Sequence, residues 1–472
     1  MGQTAVTSRP APGWKGRVPT AGALPLCLLT ALTIALAPAV AAAQDGPRIP
    51  IVRDAETEAL LYDYLRPILK AAGVSQPTVL LIPSPAFNAF VTGRNNMYIN
   101  VGAIIETETP NELIGVLAHE TAHIAGDDIA QLTQQLEDTK TAMLIAGIVG
   151  IGAAAAGVAT GSDAAGQAGA GILSGAFGIG QRSLLRYQRA EESAADRGAM
   201  KYLNATGQSG AGMLATLKRL ADQNLLISQQ ANPYLLSHPL PRERVLELEN
   251  LISQSKFADR RDPQELQARH DLIRAKLVGF TWSPQNVQRR YPLGDTSLAA
   301  RYARAIVAYR SGKPGPAQEQ IDGLIKSAPK NPYFLELKGQ ALLESGNPKA
   351  ALAPLRKAVA LAPKSNLLKI LLGQALVALD DKALAAEAVK VLSSAMEGDP
   401  DIAAGYRALA RAYALTDNVA MAQLATAQGL FAEGNIKEAQ MQATRAQAKL
   451  KTGSPAWLRA DDIVSYKPPK SR

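Results

Sequence analysis

The stretch Val116-Leu117-Ala118-His119-Glu120-Thr121-Ala122-His123-Ile124 constrains this chain more than any other. Residues four apart stand on one face of an α-helix, one turn above the other. The imidazoles of His119 and His123 can therefore reach a single metal ion. Glu120 projects about a quarter-turn away. From there its carboxylate can take a proton from an activated water without binding the metal itself. The 472 residues include four histidines, so composition alone does not account for two at this spacing around a glutamate.

A helix start lies just upstream. Thr109 suits the cap, Pro110 the first helical position, and Glu112 completes a capping box, predicting a helix that runs through both histidines to about Gly126. Two histidines do not complete a catalytic zinc site, which keeps three protein ligands and one open position. A second predicted helix, Tyr187 to Asp196, offers the third. Glu192 and Asp196 share a face, so Glu192 can bind the metal while Asp196 accepts a hydrogen bond from a ligand imidazole, first of all His119. Glu191 is the rival to Glu192. Further on, His238 sits in the proline-framed turn Ser237-His238-Pro239-Leu240-Pro241. It can donate to the oxyanion of a scissile carbonyl, or occupy the open metal position at rest. His270, between Arg269 and Asp271, reads as solvated and without a role.

The surrounding chain is long enough for two or more domains. Net charge is +9, and Arg9, Lys15 and Arg17 lie ahead of the first acid, Asp45, which leaves 9 − 3 = +6 for the remainder. No basic stripe is interleaved with aromatics, so nucleic acid is excluded as a partner class. Residues 1–43 read as a secretory signal: a basic region, an apolar run from Ala23 to Ala37, and the small residues Ala41-Ala42-Ala43. The only cysteine, Cys27, lies inside it. The rest of the chain has no disulfide and no catalytic thiol, which fits export to the periplasm.

Apolar spacing predicts a helix from about Arg48 to Ala72, then strands at Val79–Ile82, Ala89–Thr92 and Met97–Val101, the last two forming a hairpin about Gly93-Arg94-Asn95-Asn96. One strand of this small sheet is expected to be an open edge able to hold an extended peptide. Ala142 to Ala159 is eighteen residues without a polar side chain, and an Ala/Gly-rich run continues to Gly180. Small residues contribute little transfer energy, so we read 142–180 as a helical hairpin beside the site that touches a membrane surface rather than spanning it. From about Thr296 a 34-residue recurrence takes over: Ala328-Pro329-Lys330 returns as Ala362-Pro363-Lys364. With Leu335, Gly339, Leu342, Ala351, Leu355 and Ala358 between them, this is the tetratricopeptide pattern, a solenoid of stacked helix pairs with a concave binding face.

His119-Glu120-x-x-His123, then Arg189-x-x-Glu192-x-x-Ala195-Asp196, then His238-Pro239 ahead of Arg244, together resemble the M48 family of zinc metallopeptidases. The chain is most similar to those exported members that join this domain to tetratricopeptide repeats and act in outer-membrane protein assembly. The resemblance implies one zinc ion per chain held by His119, His123 and Glu192, Glu120 as base, and Asp196 and Arg244 behind the ligands. It also implies that His238 can block the metal until substrate arrives. Some relatives carry C-terminal cysteines, which this chain lacks. The expected architecture is an α+β zincin-like domain over 44–280, mostly helical with a small sheet, followed by an all-α repeat solenoid over 296–452. The expected activity is hydrolysis of misfolded or misassembled envelope proteins, with the assembly machinery as a further partner. The alternative is a periplasmic chaperone or adaptor with a largely self-inhibited zinc site.

Overall fold

The structure, a computed structural model, describes residues 50–92, 95–126, 189–226, 238, 242–312 and 314–468. The expected signal (1–43) and the Ala/Gly-rich hairpin (142–180) lie outside them. Among the described residues, no helix is long and apolar enough to cross a membrane.

Helix α1 (Ala55–Ala72) starts at Ala55 rather than near Arg48, because the Asp54 carboxylate caps it by accepting from Thr57 N at 2.8 Å. Gly73, at φ 72, ends it in a left-handed conformation that costs glycine little. Strands β1 (Thr78–Ile82), β2 (Ala89–Thr92) and β3 (Asn96–Asn100) follow. Among the described residues they form one sheet in the order β1-β3-β2, with β1 parallel and β2 antiparallel to β3. The hairpin pairs Ala89 with Ile99 and Thr92 with Asn96, and Asn95 takes φ 58 at its turn. The outer side of β1 is met by Val52, whose N–H donates to Leu81 O at 2.8 Å.

After α2 (Val101–Glu106) comes α3 (Pro110–Gly126), the histidine helix. Its start is capped nearly as its residues suggest. Thr109 Oγ1 accepts from Glu112 N at 3.3 Å, while the Glu112 carboxylate reaches back one residue further, to Glu108 N at 3.0 Å. Every residue from Pro110 to His123 is buried. A helix apolar on most sides is stable only in the middle of a core, and α3 packs against α1, β2 and helix α5 (Ala211–Leu226). Helix α4 (residues 189–205) lies on α3 through Gly198, where an added Cβ would stand 2.9 Å from Ala122 Cβ. Helix α6 (Arg242–Ser253) follows His238.

Helix α7 (Gln264–Thr281) faces both ways, touching α1 and α3 on one side and packing on α9 on the other. His270 corrects the expectation for this helix: it is fully buried, with Nε2 2.9 Å from Thr107 O and Nδ1 3.2 Å from Tyr64 Oη. After the short α8 (Pro284–Arg290) the helices run in pairs: α9 (Leu298–Arg310) with α10 (Pro314–Ser327), α11 (Pro332–Glu344) with α12 (Pro348–Leu361), and α13 (Asn366–Val377) with α14 (Lys382–Gly398). Next come α15 (Ala403–Leu415) with α16 (Val419–Ala432), and α17 (Ile436–Gln447) with α18 (Pro455–Ser465). The 34-residue recurrence has a packing cause. A Cβ on Gly339 or on Gly373 would come within 2.4 Å of Leu355 or Leu392 of the same pair, so in these two pairs the close approach requires glycine on the first helix. The start of α1 is set into this array: Ala55 is buried among Leu335, Ala358 and Leu368.

Candidate active site

The site is assembled from α3, α4 and the residue His238 just before α6. Two turns of α3 present His119 and His123 with their Nε2 atoms 3.1 Å apart and the rings edge-on, centroids 4.7 Å apart. From α4, Glu192 brings Oε2 to 3.3 Å from His119 Nε2 and Oε1 to 3.6 Å from His123 Nε2. His238 closes the group, with Nδ1 2.9 Å from Glu192 Oε1. One ligand atom from each of His119, His123, Glu192 and His238 can be chosen so that all lie within 4.8 Å of one another. All four residues are at most 7% exposed. Glu191, half-buried on the same helix, stands outside this group.

The donor set fits a metal ion. Nitrogen and oxygen ligands hold zinc at about 2.0–2.1 Å, so tetrahedral neighbours stand roughly 3.3 Å apart. The separations of 3.1, 3.3 and 3.6 Å among His119, His123 and Glu192 bracket that value. Behind the ligands, Asp196 Oδ1 lies 3.0 Å from His119 Nδ1, directing Nε2 inward. Arg244, itself 1% exposed, donates to both Asp196 oxygens at 2.7 and 2.9 Å, and through Nη1 to Glu192 Oε2 at 2.7 Å.

Electrostatics follow from burial and these partners. Burial pushes Glu192 and Asp196 up, but the hydrogen bonds from His119, with His238 on Glu192 and Arg244 on Asp196, outweigh it and hold both carboxylates below their ordinary range. Burial disfavours a charged His119, yet the same carboxylates raise it to about 10. His238 goes the other way, lowered by burial. Glu120 stands apart. It is fully buried, and among the described residues neither carboxylate oxygen has a hydrogen-bond partner. The Nε2 of His238 is 3.5 Å from Glu120 Oε1. Burial pushes the Glu120 carboxyl up to about 8.

All seven side chains named as site candidates converge here. The glycine that lets α4 approach α3, Gly198, was missed. It carries no sequence signal, because it stands two residues past Asp196 and so lies off the face of α4 that Glu192 and Asp196 share.

A buried His-His-Glu-His group with an unpartnered glutamate beside it fits a metallopeptidase centre, and the comparisons give the class. Residues 55–252 match the model of peptidase family M48, and residues 302–366 match a tetratricopeptide repeat. The chain is therefore a metallopeptidase that carries an M48 domain and tetratricopeptide repeats. It is 26% identical to the Beta-barrel assembly-enhancing protease of Yersinia pestis over 390 residues, 81% of this chain and 76% of the relative. The protein of the same name from Escherichia coli K12 is 24% identical over the same shares. Protease HtpX of Shewanella denitrificans is 32% identical over 163 residues, 31% of this chain and 55% of the relative.

Proposed function

We propose that the chain is an exported zinc metalloendopeptidase that cleaves misfolded or misassembled outer-membrane proteins, its repeats recruiting substrate or assembly machinery. The observation that carries the chemistry is the buried, unpartnered Glu120 carboxylate beside four converging ligand atoms. His119, His123 and Glu192 would hold the ion, one per chain. When bound, zinc supplies Lewis-acid activation of water and of the scissile carbonyl. Glu120 takes the proton of the attacking water and later delivers it to the leaving amine. Asp196 and Arg244 hold the His119 tautomer and the Glu192 carboxylate in place. The edge strand β2, packed on α3, can align an extended peptide by backbone pairing. The role in outer-membrane assembly is supported by the name and coverage of the relatives, and export by the leader at 1–43. Surface contact with a membrane through 142–180 belongs to the same reading.

One observation favours a second reading, a chaperone or adaptor with a self-inhibited centre. His238 stands among the ligand atoms and is hydrogen-bonded to Glu192, where it can occupy the position a substrate needs. One assay separates the two. On an unfolded β-barrel precursor, Glu120→Gln keeps one zinc per chain and loses cleavage by about a hundredfold or more, whereas His238→Ala raises basal cleavage. Undiminished cleavage by Glu120→Gln would sink the mechanism; reduced cleavage by His238→Ala would make His238 an oxyanion donor, and unchanged cleavage a structural residue.

A further inference from the structure

The residues just ahead of α1 and in its first turn lie against α7 and the solenoid helices that follow it. Arg53 Nη2 is 2.5 Å from Asp399 Oδ2, beyond α14. Asp54 Oδ2 is 2.6 Å from Lys276 Nζ on α7. Ala55 fills an apolar cleft made by Leu335 of α11, Ala358 of α12 and Leu368 of α13. Glu56 Oε2 accepts from the Tyr302 hydroxyl of α9 at 2.9 Å. Lys276 is only 4% exposed and also reaches Glu336 Oε2 of α11 at 3.3 Å.

These contacts read a pattern rather than a surface. A cation is met by a carboxylate, an anion by a buried ammonium, a methyl group by a cleft of its own size, and a second acid by a hydroxyl. None of the partners lies in the metal centre. We propose that this face, formed by α7 and the solenoid, is a recognition site for protein segments of the pattern basic–acidic–small–acidic, and that Arg53-Asp54-Ala55-Glu56 fills it as a built-in ligand. A partner segment of that pattern competes with the chain's own residues. Because Val52 N–H donates to Leu81 O, displacing the arm also withdraws the strap from the outer edge of β1. This deepens the reading of the repeats as the selecting part of the molecule. Its test involves no cleavage, so it can fail while that reading stands.

A tethered ligand competes at an effective concentration in the millimolar range, so a free copy binds the intact chain weakly. The probe is a labelled peptide spanning residues 51–62, added to the full chain and followed by fluorescence anisotropy. Ala55→Trp in the protein overfills the cleft and ejects the arm. The peptide then binds this variant at least about tenfold more tightly than it binds the wild type. Asp54→Asn in the peptide removes the partner of Lys276 and weakens binding by at least about tenfold. Equal binding of the two peptides, or none to an Ala55→Trp protein that keeps its far-ultraviolet circular dichroism, overturns the proposal. Should that variant not fold, hydrogen exchange on the wild type decides. Several millimolar of peptide must speed exchange of the amides of residues 55–61, and unchanged exchange overturns it.

Discussion

His270 is a neutral imidazole held between two partners that dictate its tautomer. Thr107 O can only accept, so Nε2 carries the proton, and Nδ1 takes the hydrogen of the Tyr64 hydroxyl. Burial, with Arg274 nearby, lowers its pKa to about 4 against the accepting Thr107 carbonyl. In the unfolded chain it titrates near its ordinary 6.5. The unfolded state therefore binds this proton more readily between those two values. The stability that the neutral ring contributes is complete above about pH 6.5 and is lost as pH falls toward 4, up to about 3 kcal/mol. Urea denaturation of wild type and His270→Asn between pH 7 and 4.5 checks this. The wild type should lose more on acidification, and parallel curves would refute the assignment. No residue pattern announced this role. A histidine flanked by Arg269 and Asp271 reads as exposed, and only the packing of α1 and α7 buries it.

At the scale of elements, the metal centre depends on how closely α4 approaches α3. The candidate ligands on each helix could be named from spacing, with Glu191 left as a rival to Glu192, because residues four apart share a face. Their meeting was not, because the separation of two helices is set by what packs between them. Here that is Gly198 against Ala122, with no room for a Cβ at 2.9 Å. Gly198→Ala should push α4 outward, carrying Glu192 and Asp196 away from His119, and lower zinc affinity by about 10–100-fold, the cost typical of lost support behind a ligand. Competitive chelator titration measures it. Affinity equal to wild type would show that the approach is held elsewhere. Strands and repeats were legible for a comparable reason. Alternation about a glycine–asparagine turn and a 34-residue period each reflect a local geometry. The parallel pairing of β1 with β3 joins residues about eighteen apart in sequence, Thr78 with Asn96, and leaves no local trace.

At the scale of the whole molecule, the peptidase domain and the repeats share buried charge. Lys276 stands against Asp54 at 2.6 Å, Glu336 at 3.3 Å and Glu56 at 3.6 Å. Replacing it leaves three acids near one another with no cation. Removing one partner of a buried group costs about 3–5 kcal/mol. Lys276→Met should lower stability by that order and split the calorimetric unfolding of the chain into two transitions, peptidase domain and solenoid. A single transition at the wild-type temperature would mean that the two are joined through other contacts. The sequence by itself determined what a local pattern can carry: the histidine pair and Glu120 on one helix, the acids of a second helix, the hairpin and the repeat period. Spacing left Glu191 as a rival and the resemblance pointed to Glu192; tertiary structure decided how near Glu192 comes to the histidines. It also decided that His238 joins them, and that residues 53–56 lie within the repeats. Those outcomes depend on distances between elements far apart in the chain, which burial and close packing set and no neighbouring residue records.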